Sequence, residues 1–535
     1  MQRPSKHART VSPVCSEDSD ASDEEGDEIV QWNANAGDKE DAQAADAHGR
    51  EIDVSNLSSN EAERLGAFES NYEGLSMEAL APYWRRPPLV LDGSRLHFQI
   101  LAVDSYVTPK LSHISYQDKM RLASYARTQT TVDFLSRDAT ILEKKSVIRV
   151  FGTNSAGNSI AIHIHGSMPH FSFTCDMPNR LDLENMRRFL NEQSSTRTSY
   201  VNGVEVEEQT WDVIFVEPYT AKDIYYYKET GDKQFYRVGV RLPQHVSALR
   251  RFLCSEDALL QTANGTTCRV YPNIRIYEAN VTHALQYMAD IGMVGFGWCE
   301  LIRDKIWPQT LVDAFLPVRD SKVASSRTRA QADLHVCVDQ LTVIDHETKP
   351  LAPLQCLSFD IECAAPEAKF PDAQYDPIIG IGNTLYDAAS ILGTQSPYQT
   401  VYFALKETSA VSNAIVLSFK TEKDLLNAWL QFVITVDPCV LISYNGEGFD
   451  FPYIAKRAET LCVKAFDALG RDASRPFVAK AKISSSKQQG TRETFDVALD
   501  GRISFDMCKA MKDHAKHSSY KMNEMSIDLQ DATLL

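Results

Sequence analysis

Residues 354–362, LQCLSFDIE, form an apolar run that ends in two acids. Such a run reads as a buried strand of an α/β sheet rather than as a solvated edge. The residues after it supply its partners. PIIGIGNTLYD and TVYFALK read as neighbouring strands. TEKDLLNAWLQFVITV opens on a capping-box-like Thr421-x-x-Asp424 and continues with helical periodicity until Asp437-Pro438 stops it. CVLISYN is another buried strand, and FDFPYIAKRAETL is the helix after it.

Upstream the pattern changes. LHFQILAVD (96–104), SVIRVFGTN (146–154), SIAIHIHGSMPHFSFTC (159–175) and YRVGVRLP (236–243) alternate and are punctuated by Gly, Asn and Pro. They predict antiparallel strands in a β-rich region. Helical patches follow at 244–254 and 278–291. His163 and His165 share one face of a strand at a spacing that could hold zinc. No third ligand lies nearby in sequence, so structural histidines are the expected reading.

The chain carries a net charge of −17, and much of it is local: residues 1–65 hold sixteen Asp and Glu against six Lys and Arg. The run SEDSDASDEEGDE (16–28) has too little apolar surface to fold, which predicts an unfolded acidic tail over 1–85. Ser22, followed by Asp23, Glu24 and Glu25, is a candidate for phosphorylation by an acidophilic kinase. Arg3, Lys6 and Arg9 are candidates for a nuclear import signal, with a solvated tail as the alternative. Neither a signal peptide nor a membrane span is expected. The eleven cysteines include no Cys-x-x-Cys pair. That favours reduced thiols over a disulfide framework or a cysteine zinc site, with Cys356 and Cys439 as core fillers.

Asp360 and Glu362 lie two residues apart at a strand end, so both project to one face, where they repel each other unless cations intervene. Asp450 follows CVLISYN in the string Tyr444-Asn445-Gly446-Glu447-Gly448-Phe449-Asp450, at the start of a helix. An acid there is favoured by the helix dipole and lies at the carboxyl edge of the sheet, where α/β sites collect. Taken singly, the first pair could be a chance product of an acidic chain, and Asp450 a routine helix cap.

Taken together, FDIEC, FPDAQYDPIIGIG and YNGEGFDFPYIAKRA resemble the first two exonuclease motifs of the family B DNA polymerases, most closely those of the delta type. VIRVFGTNSAGNSIAIHIHGSMPHF, YEANVTHALQYMADIGMVGFGWCELI and GRISFDMCKAMKDHAKHSSYKMNEMS continue the likeness from about residue 90 to about residue 526. The resemblance implies an OB-like β-rich region over 86–345 and a ribonuclease H-like 3′→5′ exonuclease domain over 346–535. The order strand, strand, strand, helix, strand, helix agrees with the second. It also implies two-metal hydrolysis with Mg²⁺, or Mn²⁺ in its place. Asp360 would bridge both ions, Glu362 would bind one and help position water, and Asp450 would hold the second. Asn445 and Phe449 would touch the frayed primer end.

KAKISSSKQQGTR (480–492) contributes Lys480, Lys482, Lys487 and Arg492 without an acid. In the family this region is a hairpin that meets DNA; composition alone allows a solvated loop. The implied partners are primer-template DNA, a single-stranded 3′ end, accessory polymerase subunits and a sliding clamp, in the nucleus and away from membranes.

The family's third exonuclease motif, Tyr-x-x-x-Asp, is not found. Tyr520-Lys521-Met522-Asn523-Glu524 copies its spacing with Glu for Asp, but it belongs to a preceding family segment, so Glu524 is not read as a ligand. The polymerase strings and the cysteine clusters of delta subunits are also not found. The expectation is therefore an incomplete exonuclease domain in a fragment, an isoform or a misassembled reading frame. These 535 residues are expected not to extend a primer, and template-directed incorporation by the purified chain would overturn that expectation.

Overall fold

The computed structural model describes residues 77–526. Single positions and short stretches between residues 92 and 518 are excepted, the longest being 136–143, 223–230, 316–327 and 389–398. Ser22, the acidic run and Arg3, Lys6 and Arg9 lie outside the described residues, as does Lys487. Among the described residues no helix is long and apolar enough to cross a membrane.

The β-rich region is built on two sheets. A six-stranded sheet runs in the order 332–337, 159–165, 146–154, 95–107, 298–302, 341–344, all antiparallel except the first pair. A four-stranded sheet runs 274–277, 170–175, 233–240, 213–221. Strands 146–154 and 159–165 are buried at every position, so their alternation does not mark a solvated face. The patches at 244–254 and 278–291 become helices Pro243–Leu253 and His283–Ile291, the second started by Thr282 accepting from the Leu285 amide.

His163 and His165 acquire a third histidine by pairing, since His335 on the parallel neighbour lies opposite His163. The rings are already engaged. His163 bonds the Tyr106 hydroxyl through Nδ1 at 2.9 Å and Asp333 through Nε2 at 3.2 Å, and His165 Nε2 meets His335 Nδ1 at 3.0 Å. Burial, with His163 and Lys145 adding to it, pulls His165 down to about 3, so it is a neutral packing group.

The second body is a mixed six-stranded sheet packed with helices. Its strands are β1 (Gln355–Cys363), β2 (Ile378–Asp387), β3 (Gln399–Leu405), β4 (Ala414–Phe419), β5 (Val440–Ser443) and, after a hairpin, β8 (Ile503–Asp506). The order is β4-β3-β2-β1-β5-β8, with β1–β2 and β2–β3 antiparallel and the remaining pairs parallel. Helix α1 (Glu422–Val436) is capped by Thr421 Oγ1, which accepts from the Asp424 amide at 3.2 Å. Helix α2 (Asp450–Thr460) follows β5. The hairpin β6 (Val478–Ser486) and β7 (Gly490–Ala498) pairs antiparallel beside α2, and helix α3 (Met507–His514) leaves β8. Three of these numbered elements were not foreseen: β4, a short parallel edge strand, β8, which extends the sheet beyond β5, and α3 after it.

The expected boundary at residue 86 moves. Met77–Trp84 is a helix whose Leu80 and Trp84 are buried in the core of the second body. Trp84 packs edge-on against Phe432 of α1 at 4.7 Å and donates its indole N–H to Gln399 Oε1 at 2.7 Å. The acidic composition of the preceding run masks this apolar anchor. Arg86, just beyond it, begins a buried charge cluster. Asp437, in the left-handed conformation after α1 (φ 48°), takes Arg471 Nε and Arg502 Nη1 on Oδ1, each at 2.8 Å. Arg86 Nε bonds the Asp437 carbonyl at 2.9 Å, and its Nη1 reaches Gly157 O of the β-rich region at 2.6 Å. Burial alone would raise the Asp437 carboxyl, but Arg471, Arg502 and Arg86 hold it well below the usual carboxylate range.

Cys439 is more than a filler. Arg86 Nη2 lies 2.9 Å from its sulfur, and Arg86 and Arg471 outweigh burial to pull the thiol below its ordinary value. Arg149 Nη2 adds a second tie between the two bodies, meeting Asp472 Oδ2 at 2.5 Å.

Replacing Asp437 by Ala leaves three buried guanidiniums facing one another. It is expected to lower stability by about 3–5 kcal/mol, read as a lower urea midpoint. An unchanged midpoint would show that the cluster is not what joins the two bodies.

Candidate active site

β5 pairs with β1 only through Cys356–Ser358. Beyond Ser358 the two strands part, and β1 keeps a ladder partner on the β2 side alone. Asp450, the first residue of α2, fills the split: its Oδ1 accepts the Ile361 amide at 3.2 Å, replacing the carbonyl a neighbouring strand would have offered. Phe359 and Ile361 point into the core, where Phe359 packs on Trp429 and Phe451. Asp360 and Glu362 therefore leave β1 on the opposite, open face.

The carboxylates feel one another. Asp450 is 2% exposed. Burial, then the charge of Asp360 with a smaller push from Asp506, raises it to about 7 against the pull of the Ile361 amide. Burial and Glu362 raise Asp360.

The loop Ser443–Asp450 is shaped tightly. Asn445 sits at φ 62°, and its carbonyl accepts the amides of Gly448 and Phe449, both at 3.0 Å. A Cβ on Gly446 would come within 2.0 Å of Ser443 Oγ and 3.5 Å of Asp450 Oδ2, so only glycine passes here. Asp506, at the end of β8, holds the loop from beneath. Its Oδ1 accepts the amides of Asn445 (2.9 Å), Cys508 (3.0 Å) and Lys509 (3.3 Å), and its Oδ2 that of Glu447 (3.3 Å). Sequence reasoning passed over Asp506; the only signal was an acid closing an apolar strand directly before a helix.

Phe449 is half-buried at the mouth of this loop and meets Phe370 edge-on at 5.3 Å. Phe370 is 80% exposed and was not foreseen as a site residue. The loop after Phe370 is fastened to α2: Arg457 Nη1 bonds the carbonyls of Ala373 and Gln374, and Tyr453 donates to Asp376 O at 2.9 Å. Arg457 in turn pairs with buried Glu422 of α1, whose Oε1 also accepts the Ile378 amide at 2.9 Å.

Lys480, Lys482 and Arg492 lie on β6 and β7, opposite Asp496, Thr494 and Ser484 respectively; their side chains are outside the described residues. Glu524 is exposed on the last helical turn, and Tyr520 is tied down through its carbonyl, which accepts Tyr444 Oη at 2.6 Å.

Among the described residues, no group of three or more His, Cys, Asp or Glu is placed to hold a metal ion. The donor set still suits Mg²⁺ or Mn²⁺. Mg²⁺ prefers hard oxygens and is held by one or two carboxylates together with water and substrate phosphate, rather than by an all-protein cage. The upward shift of both Asp360 and Asp450, by burial and by neighbouring acids, is the second mark of fit.

A carboxyl held above its ordinary value of 3.8 keeps its proton in the folded state after the unfolded state has lost it. Stability on that account is greatest near pH 4 and falls as pH rises to about 7. Asn at position 450 still accepts the Ile361 amide but cannot ionise. Without divalent cations, Asp450→Asn is expected to raise the melting temperature at pH 8 and leave it unchanged near pH 4. The gain is at most about 4 kcal/mol, at about 1.36 kcal/mol per pH unit. Equal effects at both pH values would contradict the burial of an unpaired charge.

Residues 274–525 match the family model of the DNA polymerase family B exonuclease domain. The DNA polymerase delta catalytic subunit of Dictyostelium discoideum is 31% identical over 381 residues, which are 71% of this chain and 32% of that protein. The corresponding subunit of Mesocricetus auratus is 30% identical over 453 residues, 83% of this chain and 36% of that protein. That of Arabidopsis thaliana is 28% identical over 463 residues, 84% and 37%. The chain thus spans about a third of the length of the relatives it matches. The solved family B DNA polymerase from Pyrobaculum calidifontis aligns over 77% of this chain and 36% of that chain, with a TM-score of 0.42 and 17% identity.

Proposed function

Because this chain belongs to the family B DNA polymerases, we propose that it carries the 3′→5′ proofreading exonuclease of a delta-type replicative polymerase. The observation that bears most weight is Asp450 buried in the split beside β1, its carboxyl raised by that burial and then by Asp360. On this reading the second body is a ribonuclease H-like exonuclease domain and the β-rich region an OB-like platform. Their working boundary lies near residue 346, with Met77–Trp84 docked on the exonuclease.

Asp360, Glu362 and Asp450 would hold two divalent cations, Mg²⁺ or Mn²⁺. Bound there, such ions polarise an attacking water and neutralise the departing 3′ oxygen of the terminal phosphodiester. The chain's own part is to place its donors. β1 fixes Asp360 and Glu362 on one open face, the Ile361 amide orients Asp450, and Asp506 keeps the loop carrying Asn445 and Phe449 in register. The exposed ring of Phe370, set edge-on to Phe449, offers a stacking surface for an unpaired base. A duplex end has no free base to place there. A mismatched end frays at a cost of a few kcal/mol at most, which biases the site towards errors.

Lys480, Lys482, Lys487 and Arg492 on or beside the hairpin would meet the backbone phosphates without reading sequence. The same reading assigns the protein to the nucleus, working on primer-template DNA with accessory subunits and a sliding clamp.

Digestion of a 3′-labelled single strand in Mg²⁺, comparing the chain with Asp360→Ala, tests the reading. The chain is expected to release terminal nucleotides, and the variant to be slower by at least about a hundredfold, the loss expected when a site gives up both a charge and its geometry. Equal, negligible digestion by both would favour a non-catalytic nucleic-acid-binding or assembly module instead.

A further inference from the structure

The open face of the sheet carries one more polar group beside the acids. Along the pairing, Asp360 stands opposite Gly382, and Gly382 opposite Tyr402; Glu362 stands opposite Gly380. Directly paired residues share a face, so Tyr402 projects on the same side as Asp360 and Glu362. Two glycines in the intervening strand are what let it lie down there. A Cβ on Gly380 would fall 1.9 Å from the Tyr402 hydroxyl and 2.6 Å from its Cζ, so the ring leans across β2 and its oxygen occupies the place of the missing methyl. Paired Cβ positions are about 5 Å apart. The hydroxyl therefore stands beside the stem of Glu362, within reach of a water held by its carboxylate. Tyr402 is only partly buried. The charge of Glu362, after burial, raises the phenol above its ordinary value, in keeping with that proximity.

We propose that Tyr402 is a further catalytic residue of this site, its hydroxyl sharing with the Glu362 carboxylate the water that attacks the terminal phosphodiester. The proposal rests on the nuclease reading above. The phenol donates one hydrogen bond and holds the water's orientation, while the proton lost on attack leaves on the carboxylate side. The bond formed is from water oxygen to phosphorus, and the bond broken is from phosphorus to the 3′ oxygen.

Variants of the 535-residue chain test this. Tyr402→Phe keeps the ring and removes the donor; it is expected to lower kcat roughly tenfold, the loss of one hydrogen bond to the water, with KM for the single strand unchanged. Gly380→Ala displaces the end of a flexible side chain, so it is expected to have the same phenotype, and the double variant no more than either single one. In protein labelled with 3-fluorotyrosine and free of divalent cations, the resonance that Tyr402→Phe removes is expected to shift in Glu362→Gln. Full kcat in Tyr402→Phe beside an inactive Asp360→Ala, or an unmoved resonance, overturns the role of Tyr402 alone. Absence of any Asp360-dependent digestion overturns the nuclease reading and this role with it.

Discussion

One buried carboxylate organises this molecule's chemistry. Where β5 turns away from β1, an unmet Ile361 amide would be left in the sheet, and Asp450 supplies the missing acceptor. That repair places a second acid beside Asp360, in surroundings that disfavour charge on both. A purely structural solution would have used Asn. On the proposed function, an acid that repairs a sheet at the expense of its own ionisation serves a divalent cation.

The surrounding architecture limits how far that acid can move. Asp506 binds four amides that bracket the loop and open α3, so β8 and α3 fix the entrance to α2. Glu422 and Arg457 join α1 to α2 and pin the start of β2, and through Arg457 and Tyr453 they also hold the segment after Phe370. Behind the sheet, Asp437 gathers Arg86, Arg471 and Arg502 and connects this body to the β-rich region through Gly157. A site built on such fixed elements can hold reacting groups within tolerances a loop could not.

How much of this was legible in the sequence depended on distance along the chain. The strand ending in Asp360 and Glu362, the Thr421 cap and the helix opening at Asp450 are local patterns, and each is where the residues placed it. Asp437 was legible only as a helix stop, because its three guanidinium partners come from positions 34 to 351 residues away. Helix Met77–Trp84 was hidden by the acidity of its neighbourhood, although Trp84 is among the most completely buried side chains. β4 was lost because six residues beside a loop carry little periodicity. Tyr402 could not have been found without the register, since a one-residue slip would send it to the other face.

The direct test of the central claim is whether divalent cations relieve the strain at Asp450. Thermal unfolding at pH 8 should show Mn²⁺ raising the melting temperature of the unaltered chain, with up to about 2.7 kcal/mol gained at a hundredfold excess over its dissociation constant. The same addition should leave Asp450→Asn nearly unmoved, closing the gap between the two proteins. Equal shifts in both, or none in either, would mean that these carboxylates are not assembled for a cation.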